Sequence, residues 1–248
     1  MLKSEKKSYK ISGSIFGIMA LAIGLPCLII ATILRIEVDP TFSLMSNYIC
    51  DLGDEFYSSN NIFLIGFILR QIFLIPFYIS FGILLQKKIY ESYLIKGAMT
   101  ASVISNLSLA FVLPFLVDPK NQFFCNMHGL LGFIYFSFGS LAFTLYGIIE
   151  LSNPKISNYY SLISFITAFL QGLFLFFPMI YLIEWFFIAS EFSWVLIHAV
   201  FLFKNEPSNM KHVVFFELDY LIHDHQNKSN LLRKRLKEKS NYMNLDYD

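Results

Sequence analysis

Long apolar runs alternate with short polar connections along this chain. Six of the runs are roughly 20 residues long, which is the length of helix that crosses a bilayer. A run of that length in hydrocarbon must satisfy its own backbone hydrogen bonds, so we predict an all-α, polytopic membrane protein with a six-transmembrane-helix bundle. The predicted spans are 11–34, 62–85, 97–117, 129–149, 161–183 and 185–203.

The boundaries between the later spans are the least marked part of this pattern. The third run is interrupted by several serines and by Asn106, and the fifth and sixth runs are nearly continuous. A single helix over both would be twice as long as the bilayer is thick, so we predict a tight helical hairpin that reverses at Glu184, with Pro178 inside the fifth span. Gly13 and Gly17 have the small-residue spacing that lets helices pack closely.

Composition indicates the same class of protein. Of the 248 residues, 56% are hydrophobic and only 15% are charged, whereas soluble domains carry about 25% charged residues. The apolar core of the first span is too long for a cleaved signal peptide, so we expect that span to remain as an anchor. We therefore divide the chain into an N-terminus at 1–10, a transmembrane domain at 11–203 and a tail at 204–248.

Lysine and arginine are distributed asymmetrically between the two ends of the spans. Sixteen of them lie in the N-terminus, the second and fourth connections and the tail, whereas the connections on the other side contain only Arg35 and Lys120. Cytoplasmic segments carry this excess of positive charge in membrane proteins. We predict that both termini are cytoplasmic and that the first, third and fifth connections face outward or into a lumen.

The three cysteines fall in two different settings. Cys27 lies within the first span, where we expect it to pack as a small apolar residue. Cys50 and Cys125 lie in the first and third connections, on the predicted outer side, where an oxidising compartment permits disulfides. A Cys50–Cys125 disulfide and two free thiols are equally compatible with the sequence, because the sequence does not give the distance between them.

Charged side chains inside predicted spans are costly and mark candidate sites. Arg70 lies roughly 12 Å below the outer end of the second span, and Glu191 about 9 Å below the outer end of the sixth. Since their depths match and their charges are opposite, we expect them to meet. His128 is predicted to begin the fourth helix on the same side, and Asp51 to lie in the loop above. The predicted polar cluster in the outer third of the bundle is Asp51, Arg70, His128 and Glu191, with Asn106 and Gln171 lining the same interior nearer mid-membrane.

Two interpretations of this cluster are open. In the structural one, Arg70 and Glu191 form a buried pair that sets helix register, and His128 caps the fourth helix. In the functional one, the cluster binds a lipid headgroup or hydrolyses a lipid, with Asp51, His128 and Glu191 as candidate catalytic residues. His198 shares a helix face with Glu191 and is a candidate lining residue. No ligand spacing supports a metal, and we expect neither a metal nor a cofactor.

The tail contains a basic cluster, Arg233-Lys234-Arg235. Such a cluster can contact anionic lipid headgroups, although a solvated tail that satisfies the orientation rule is the simpler explanation. The basic residues of the chain are otherwise dispersed, and we expect no nucleic-acid binding. Tyr242-Met-Asn-Leu245 matches the Tyr-x-x-bulky pattern of endolysosomal sorting signals.

Short motifs occur in order along the predicted spans. The first outer loop reads Asn47-Tyr48-Ile49-Cys50-Asp51-Leu52-Gly53, and Leu69-Arg70, Met127-His128-Gly129-Leu130 and Ser190-Glu191-Phe192 follow in the second, fourth and sixth spans. In this order they resemble the DRAM/FRAG/SFK family of six-pass membrane proteins, whose loop motif is similar to P-x-I-S-D-x-G. Cys50 departs from the usual Ser. Asp51-Leu52-Gly53 is also similar to the S-D-L-G loop of an uncharacterised six-pass bacterial and archaeal family.

The resemblance covers roughly 10–204 and implies a role in lipid homeostasis, GPI remodelling, or autophagy and endolysosomal membrane trafficking, with membrane lipids as partners. It implies a non-enzymatic regulator or lipid-binding module. The alternative is a membrane-embedded lipid hydrolase or acyl-transfer enzyme with an outer-leaflet polar site. A small transporter is a weaker alternative, because we find no paired repeats. The implied location is an endolysosomal, Golgi or plasma membrane in a eukaryote, and the cell membrane in a prokaryote.

Overall fold

A computed structural model of the chain describes residues 12–54, 59–88, 92–113, 121–154 and 156–205. All of them belong to one compact unit, Ser12–Lys211. The predicted N-terminal segment at 1–10, the basic cluster of the tail and its sorting pattern lie outside the described residues.

Six helices make up the described part of the chain, as predicted. They are α1 (Gly13–Val38), α2 (Ser59–Lys88), α3 (Ser92–Val112), α4 (Gln122–Leu151), α5 (Asn158–Phe176) and α6 (Tyr181–Asn205), with a short 3₁₀ turn at Ile49–Gly53 between α1 and α2. Each of the six contains a segment long and apolar enough to cross a membrane. The all-α class is confirmed, and the architecture fits an integral multi-pass membrane protein.

The fourth helix begins earlier than its apolar run, which corrects the predicted place of His128. Asn121 precedes the helix, and its side-chain oxygen accepts a hydrogen bond from the Phe123 backbone N–H at 3.0 Å. This cap satisfies one of the unpaired N–H groups of the first turn, so the helix starts at Gln122. His128 therefore lies in the second turn of α4 and does not cap it.

The reversal between α5 and α6 also differs from the prediction. α5 ends at Phe176 and α6 begins at Tyr181, so the turn contains Pro178 instead of Glu184. Proline has no backbone N–H and restricts the residue before it, which ends the helix at this point. Glu184 consequently lies in the first turn of α6, where it is 5% exposed.

The helices form a ring in chain order, which α6 closes by packing against both α5 and α1. Aromatic side chains fill the ring, and Trp194 is at their centre: its indole stacks on His198 with a centroid separation of 4.0 Å and on Tyr78 with a separation of 5.5 Å.

Gly13 and Gly17 lie against Ser80 and Phe77 of α2, where a β-carbon would overlap those side chains. The predicted close packing at these glycines is therefore confirmed.

Candidate functional site

The segment Ser46–Asp54, here called the outer loop, covers one end of the bundle; following the predicted orientation, we call this the outer end. The loop looks polar in sequence, but its apolar residues face the bundle: Ile49 is 2% exposed and Leu52 is fully buried. Asp51 Oδ2 accepts hydrogen bonds from the Tyr48 backbone N–H at 2.9 Å and the Asn47 side-chain amide at 3.4 Å. Asp51 thus stabilises the turn that presents these apolar residues.

Glu184 attaches the outer loop to α6. Its Oε2 atom accepts a hydrogen bond from the Ile49 backbone N–H at 2.8 Å, and its Oε1 atom lies 3.6 Å from the Cys50 thiol, which donates to it. The Trp185 indole N–H donates to the Asn47 carbonyl at 3.0 Å, which adds a second bond from the same helix turn. Sequence reasoning missed this role because Glu184 was predicted to lie at the surface of a turn.

A cavity of about 50 Å³, here called the outer cavity, lies beneath the outer loop. It has room for a few water molecules, since one water needs roughly 10–15 Å³ by this measure. Its wall is mostly apolar, and its polar side chains come from three different elements of the fold. The polar lining residues are Cys50 of the loop, His128 and Tyr135 of α4 and Glu184 of α6.

His128 is a half-buried residue of this wall. Its Nδ1 atom is shielded from solvent and has no hydrogen-bond partner among the described residues. Asp51 of the outer loop is near enough to act on the imidazole electrostatically. An unpaired buried nitrogen is costly, so this position favours a water molecule or a ligand that can bond to it.

Cys50 and Cys125 are both thiols in the structure, and no disulfide joins them. Of the two alternatives that the sequence left open, the structure therefore has separate thiols. Burial raises the pKa of the Cys50 thiol well above its ordinary value, and the nearby carboxylates of Glu184 and Asp51 raise it further. The thiol thus stays protonated and acts as a hydrogen-bond donor, which makes it a weak nucleophile.

Arg70 and Glu191 are in contact, with 2.8 Å between Arg70 Nη2 and Glu191 Oε2. The guanidinium also lies over the rings of Phe192 and Phe67, at 4.7 and 5.6 Å from their centroids. The Tyr135 hydroxyl donates to Glu191 Oε2 at 3.3 Å. Arg70 is fully buried, so the pair holds α2 against α6 inside the bundle and does not reach a headgroup at the surface.

The four predicted cluster residues therefore divide into two groups. Asp51 belongs to the outer loop, and His128 lines the outer cavity. Arg70 and Glu191 lie roughly 15 Å below the outer ends of α2 and α6, at 1.5 Å per residue. They are deeper than predicted because α2 and α6 start before their apolar runs. Tyr135 connects the groups, since it lines the outer cavity and bonds to Glu191.

A second, smaller cavity of about 10 Å³ adjoins Glu191 deeper in the bundle. Asn106 and Gln171 line it, so the expectation that they share one interior with Glu191 is met. Gln171 also donates to the Tyr135 backbone carbonyl at 3.3 Å, in space that the absence of a side chain at Gly139 leaves open. We call the cavity lined by Asn106, Gln171 and Glu191 the inner cavity.

A buried network at the opposite end of the bundle was not found from the sequence. His198 Nε2 lies 2.7 Å from Glu150 Oε1, and the Ser164 hydroxyl donates to Glu150 Oε2 at 2.7 Å. The Trp194 indole N–H donates to Ser164 Oγ at 2.7 Å. Glu150 was overlooked because it lies just beyond the predicted end of the fourth span, and its partner is 48 residues away.

Within the described residues, no three His, Cys, Asp or Glu side chains come together in a way that holds a metal ion. The chain was also compared with protein-family models, curated proteins and solved structures, and none of them matches.

Proposed function

We propose that this integral membrane protein is a non-enzymatic lipid-binding module that takes the polar end of a membrane lipid into the outer cavity. The observation that carries the proposal is the composition of the cavity wall, which is apolar except for Cys50, His128, Tyr135 and Glu184. A wall of this kind complements an amphiphile, because a few polar groups orient a ligand that apolar surface holds. The cavity volume suits the polar end of a lipid, and the acyl chains remain in the bilayer.

The charges around the outer cavity favour a neutral, hydroxyl-bearing lipid over a phospholipid. Its described lining includes the carboxylate of Glu184 and no Lys or Arg side chain. A phosphate there would lose its hydration without gaining a cationic partner, which is unfavourable. A lipid hydroxyl can donate to His128 Nδ1 or to Glu184. Sterols, diacylglycerols and ceramides are the classes that meet this description.

The proposed biological role is lipid homeostasis or autophagy-type and endolysosomal membrane trafficking. It is supported by the motifs at Asp51, Arg70, His128 and Glu191, which resemble those of the DRAM/FRAG/SFK family in the same order. We also propose that the chain is a relative of this family. On that basis we propose a role in GPI remodelling and a location in an endolysosomal, Golgi or plasma membrane.

The experiment is photocrosslinking in nanodiscs that contain photoactivatable sterol, diacylglycerol or phosphatidylserine. Gly132→Leu is designed to fill the outer cavity, because Gly132 lines it and a β-carbon there meets no atom within 4 Å. Gly129→Leu is the matched control, since Gly129 is equally open but does not line the cavity. We expect a hydroxyl lipid to label the peptides around His128 in wild type and Gly129→Leu, and to lose that labelling in Gly132→Leu.

Two outcomes would contradict the proposal. Equal labelling of Gly132→Leu and Gly129→Leu would place the lipid outside the cavity. Preferential labelling by phosphatidylserine would mean that the electrostatic argument for a neutral lipid is wrong.

The alternative function is lipid hydrolysis or acyl transfer, and one observation favours it: His128 and the carboxyl group of Glu184 line the same cavity. An imidazole and a carboxyl group are suitable for acid–base chemistry on an ester. Cys50 is an unsuitable nucleophile, because its pKa is raised. Lipid turnover by purified wild type and His128→Ala tests this alternative. Turnover that is lost in the variant would support an enzyme, and no turnover by the wild type would exclude these substrates.

A further inference from the structure

The end of α5 and the connection that follows it present apolar side chains to the outside of the bundle. The five consecutive residues 176–180, Phe-Phe-Pro-Met-Ile, are all exposed, and Phe176 and Met179 are 80% and 82% exposed. The sequence has no Asp, Glu, Lys or Arg between positions 156 and 183. An exposed apolar patch of this kind marks a surface that contacts a membrane or another protein. We call residues 176–180 the apolar turn.

α5 is the shortest of the six described helices. It has 19 residues and is about 28 Å long, which is close to the roughly 30 Å thickness of the hydrocarbon core of a bilayer. Its first turn is capped by Ser157, whose Oγ accepts a hydrogen bond from the Tyr159 N–H at 3.4 Å. With this polar end at one boundary of the hydrocarbon core, the helix is long enough to bring the apolar turn only to the opposite boundary.

α4 extends much further toward the outer end than its neighbour α5. The two helices are in register where the rings of Phe136 and Phe174 meet, with 4.5 Å between their centroids. Fourteen residues of α4 precede Phe136, whereas two residues of α5 follow Phe174. At 1.5 Å per residue, this difference makes α4 roughly 18 Å longer on that side. Consistent with the missing neighbour, no residue from 122 to 134 of α4 is buried.

The outer cavity lies next to the place where α5 ends. Gly132 and Phe136 of α4 line it, and a β-carbon on Gly132 would meet no neighbouring atom within 4 Å. α6 contributes Glu184 and Ile188 to the wall, whereas α5 contributes no residue to the described lining. Above the contact between Phe136 and Phe174, α5 therefore does not cover the cavity.

The outer loop is joined to the apolar turn on the same side of the bundle. The Tyr48 hydroxyl donates to the Pro178 carbonyl at 2.6 Å, and the Tyr48 ring lies 4.3 Å from that of Tyr181, measured between centroids. Tyrosines are enriched at membrane–water interfaces, where the ring lies in the apolar layer and the hydroxyl bonds to polar groups. Two tyrosines beside Pro178 thus favour a position of the apolar turn at the edge of the bilayer.

We propose that the apolar turn lies in the outer leaflet of the bilayer, and that the outer cavity opens sideways to this leaflet, between α4 and α6 above the end of α5. The occupant of the opening is the hydrocarbon part of an outer-leaflet lipid. The inference rests on the proposed lipid binding, for which it supplies the path from the cavity to the bilayer. The outer loop closes the cavity on its remaining side, toward water.

Continuity with the membrane-spanning surface favours lipid over a protein as the occupant. Phe169 of α5 and Phe186 of α6 are exposed apolar residues below the apolar turn. The surface of the two helices therefore continues into the turn without a charged residue between them. A bilayer that covers the helices also covers the turn, and no additional partner is required.

The test is the accessibility of nitroxide spin labels in the full-length protein, reconstituted in phosphatidylcholine liposomes. The labels are attached to Met179→Cys in the apolar turn and to Gly132→Cys at the opening, in a background of Cys27→Ser, Cys50→Ser and Cys125→Ser. Met45→Cys is the matched control, because Met45 is also a strongly exposed methionine at the outer end but lies among polar residues. Oxygen, which concentrates in hydrocarbon, and a water-soluble nickel chelate serve as the relaxation agents.

We expect labels at 179 and 132 to be relaxed by oxygen and protected from the nickel chelate, and the label at 45 to show the opposite pattern. Nickel accessibility at 179 equal to that at 45 would place the apolar turn in water and overturn the proposal. Nickel accessibility at 132 would mean that the cavity opens to water. Protection of 179 or 132 from both agents would mean that protein covers the site, which also contradicts a lipid occupant.

This experiment is independent of the photocrosslinking that tests lipid binding. Lost crosslinking with the expected spin-label pattern would refute the bound lipid and leave the apolar turn in the leaflet. Crosslinking in the cavity with a water-accessible label at 132 would support the bound lipid and overturn the sideways opening. Met179→Cys changes an exposed side chain, so its result does not depend on a variant of the buried core.

Discussion

The Glu184 carboxylate accepts a hydrogen bond from the backbone N–H of Ile49 at 2.8 Å, across 135 residues of chain. Both groups are buried, and the bond joins the connection between α1 and α2 to α6. The outer loop is therefore the cover of the outer cavity, and its position depends on α6.

Glu184→Ala is expected to release the outer loop. The substitution leaves the Ile49 N–H without its partner, and a buried unsatisfied donor costs about 1–3 kcal/mol. We expect faster maleimide labelling of Cys50, measured in a background of Cys27→Ser and Cys125→Ser. Glu37→Ala, at an exposed position of α1, serves as the control and should leave the rate unchanged. An unchanged rate in Glu184→Ala would mean that the carboxylate does not hold the loop.

The rise of Cys50 labelling with pH should occur at a higher pH than it does for a solvent-exposed thiol. Burial, followed by the charges of Glu184 and Asp51, raises the pKa of Cys50 well above its ordinary value of 9.0. At any given pH the thiolate fraction is therefore smaller than that of a solvent-exposed thiol, and the labelling rate should still be rising where the rate of a free thiol levels off. A plateau below pH 9.0 would contradict the raised pKa.

The same raised pKa has a consequence for stability. Above pH 9.0 the thiol of the unfolded chain loses its proton, whereas the folded protein keeps its own. The contribution of Cys50 to stability is therefore complete below that pH and is lost as the pH rises through the folded pKa. Thermal unfolding at increasing alkaline pH should show a smaller decline for Cys50→Ser than for wild type, and an identical decline would refute this assignment.

A double-mutant cycle tests the Arg70–Glu191 pair. Removing one partner leaves a buried charge uncompensated, so Arg70→Gln and Glu191→Gln are each expected to cost about 3–5 kcal/mol. The double variant contains no buried charge at this place and should lose clearly less than the sum of the single losses. The measurement is thermal or chemical unfolding in detergent micelles. Additive losses would mean that the two side chains do not interact.

The predicted orientation can be tested with the exposed Cys125 at the outer end of α4. In a background of Cys27→Ser and Cys50→Ser, a membrane-impermeant maleimide should label Cys125 in intact cells. Ser152→Cys, at an exposed position at the other end of the same helix, should react only after permeabilisation. The reverse pattern would mean that both termini face outward, contrary to the distribution of lysine and arginine.

Hydrophobicity along the chain was sufficient to predict the six helices, because an apolar run as long as the bilayer is thick has few alternatives to a helix. Arg70 and Glu191 were also accessible from the sequence, since charges of opposite sign at similar depth strongly favour pairing in an apolar interior. The ends of the helices were harder to predict from the sequence. They depended on local features, the Asn121 cap and the turn at Pro178, which shifted His128 and Glu184 away from their predicted places.

By itself, the sequence determined the class of protein, the six helices of the described residues and the opposite charges of the buried Arg70 and Glu191. Only the tertiary structure decided which side chains meet, because hydropathy does not specify how each helix is rotated about its axis or which helices are neighbours. That rotation brings Glu184 to Ile49, separates Asp51 and His128 from the Arg70–Glu191 pair, and joins Glu150 to His198. The outer cavity and the buried Glu150–His198 pair both follow from these long-range contacts.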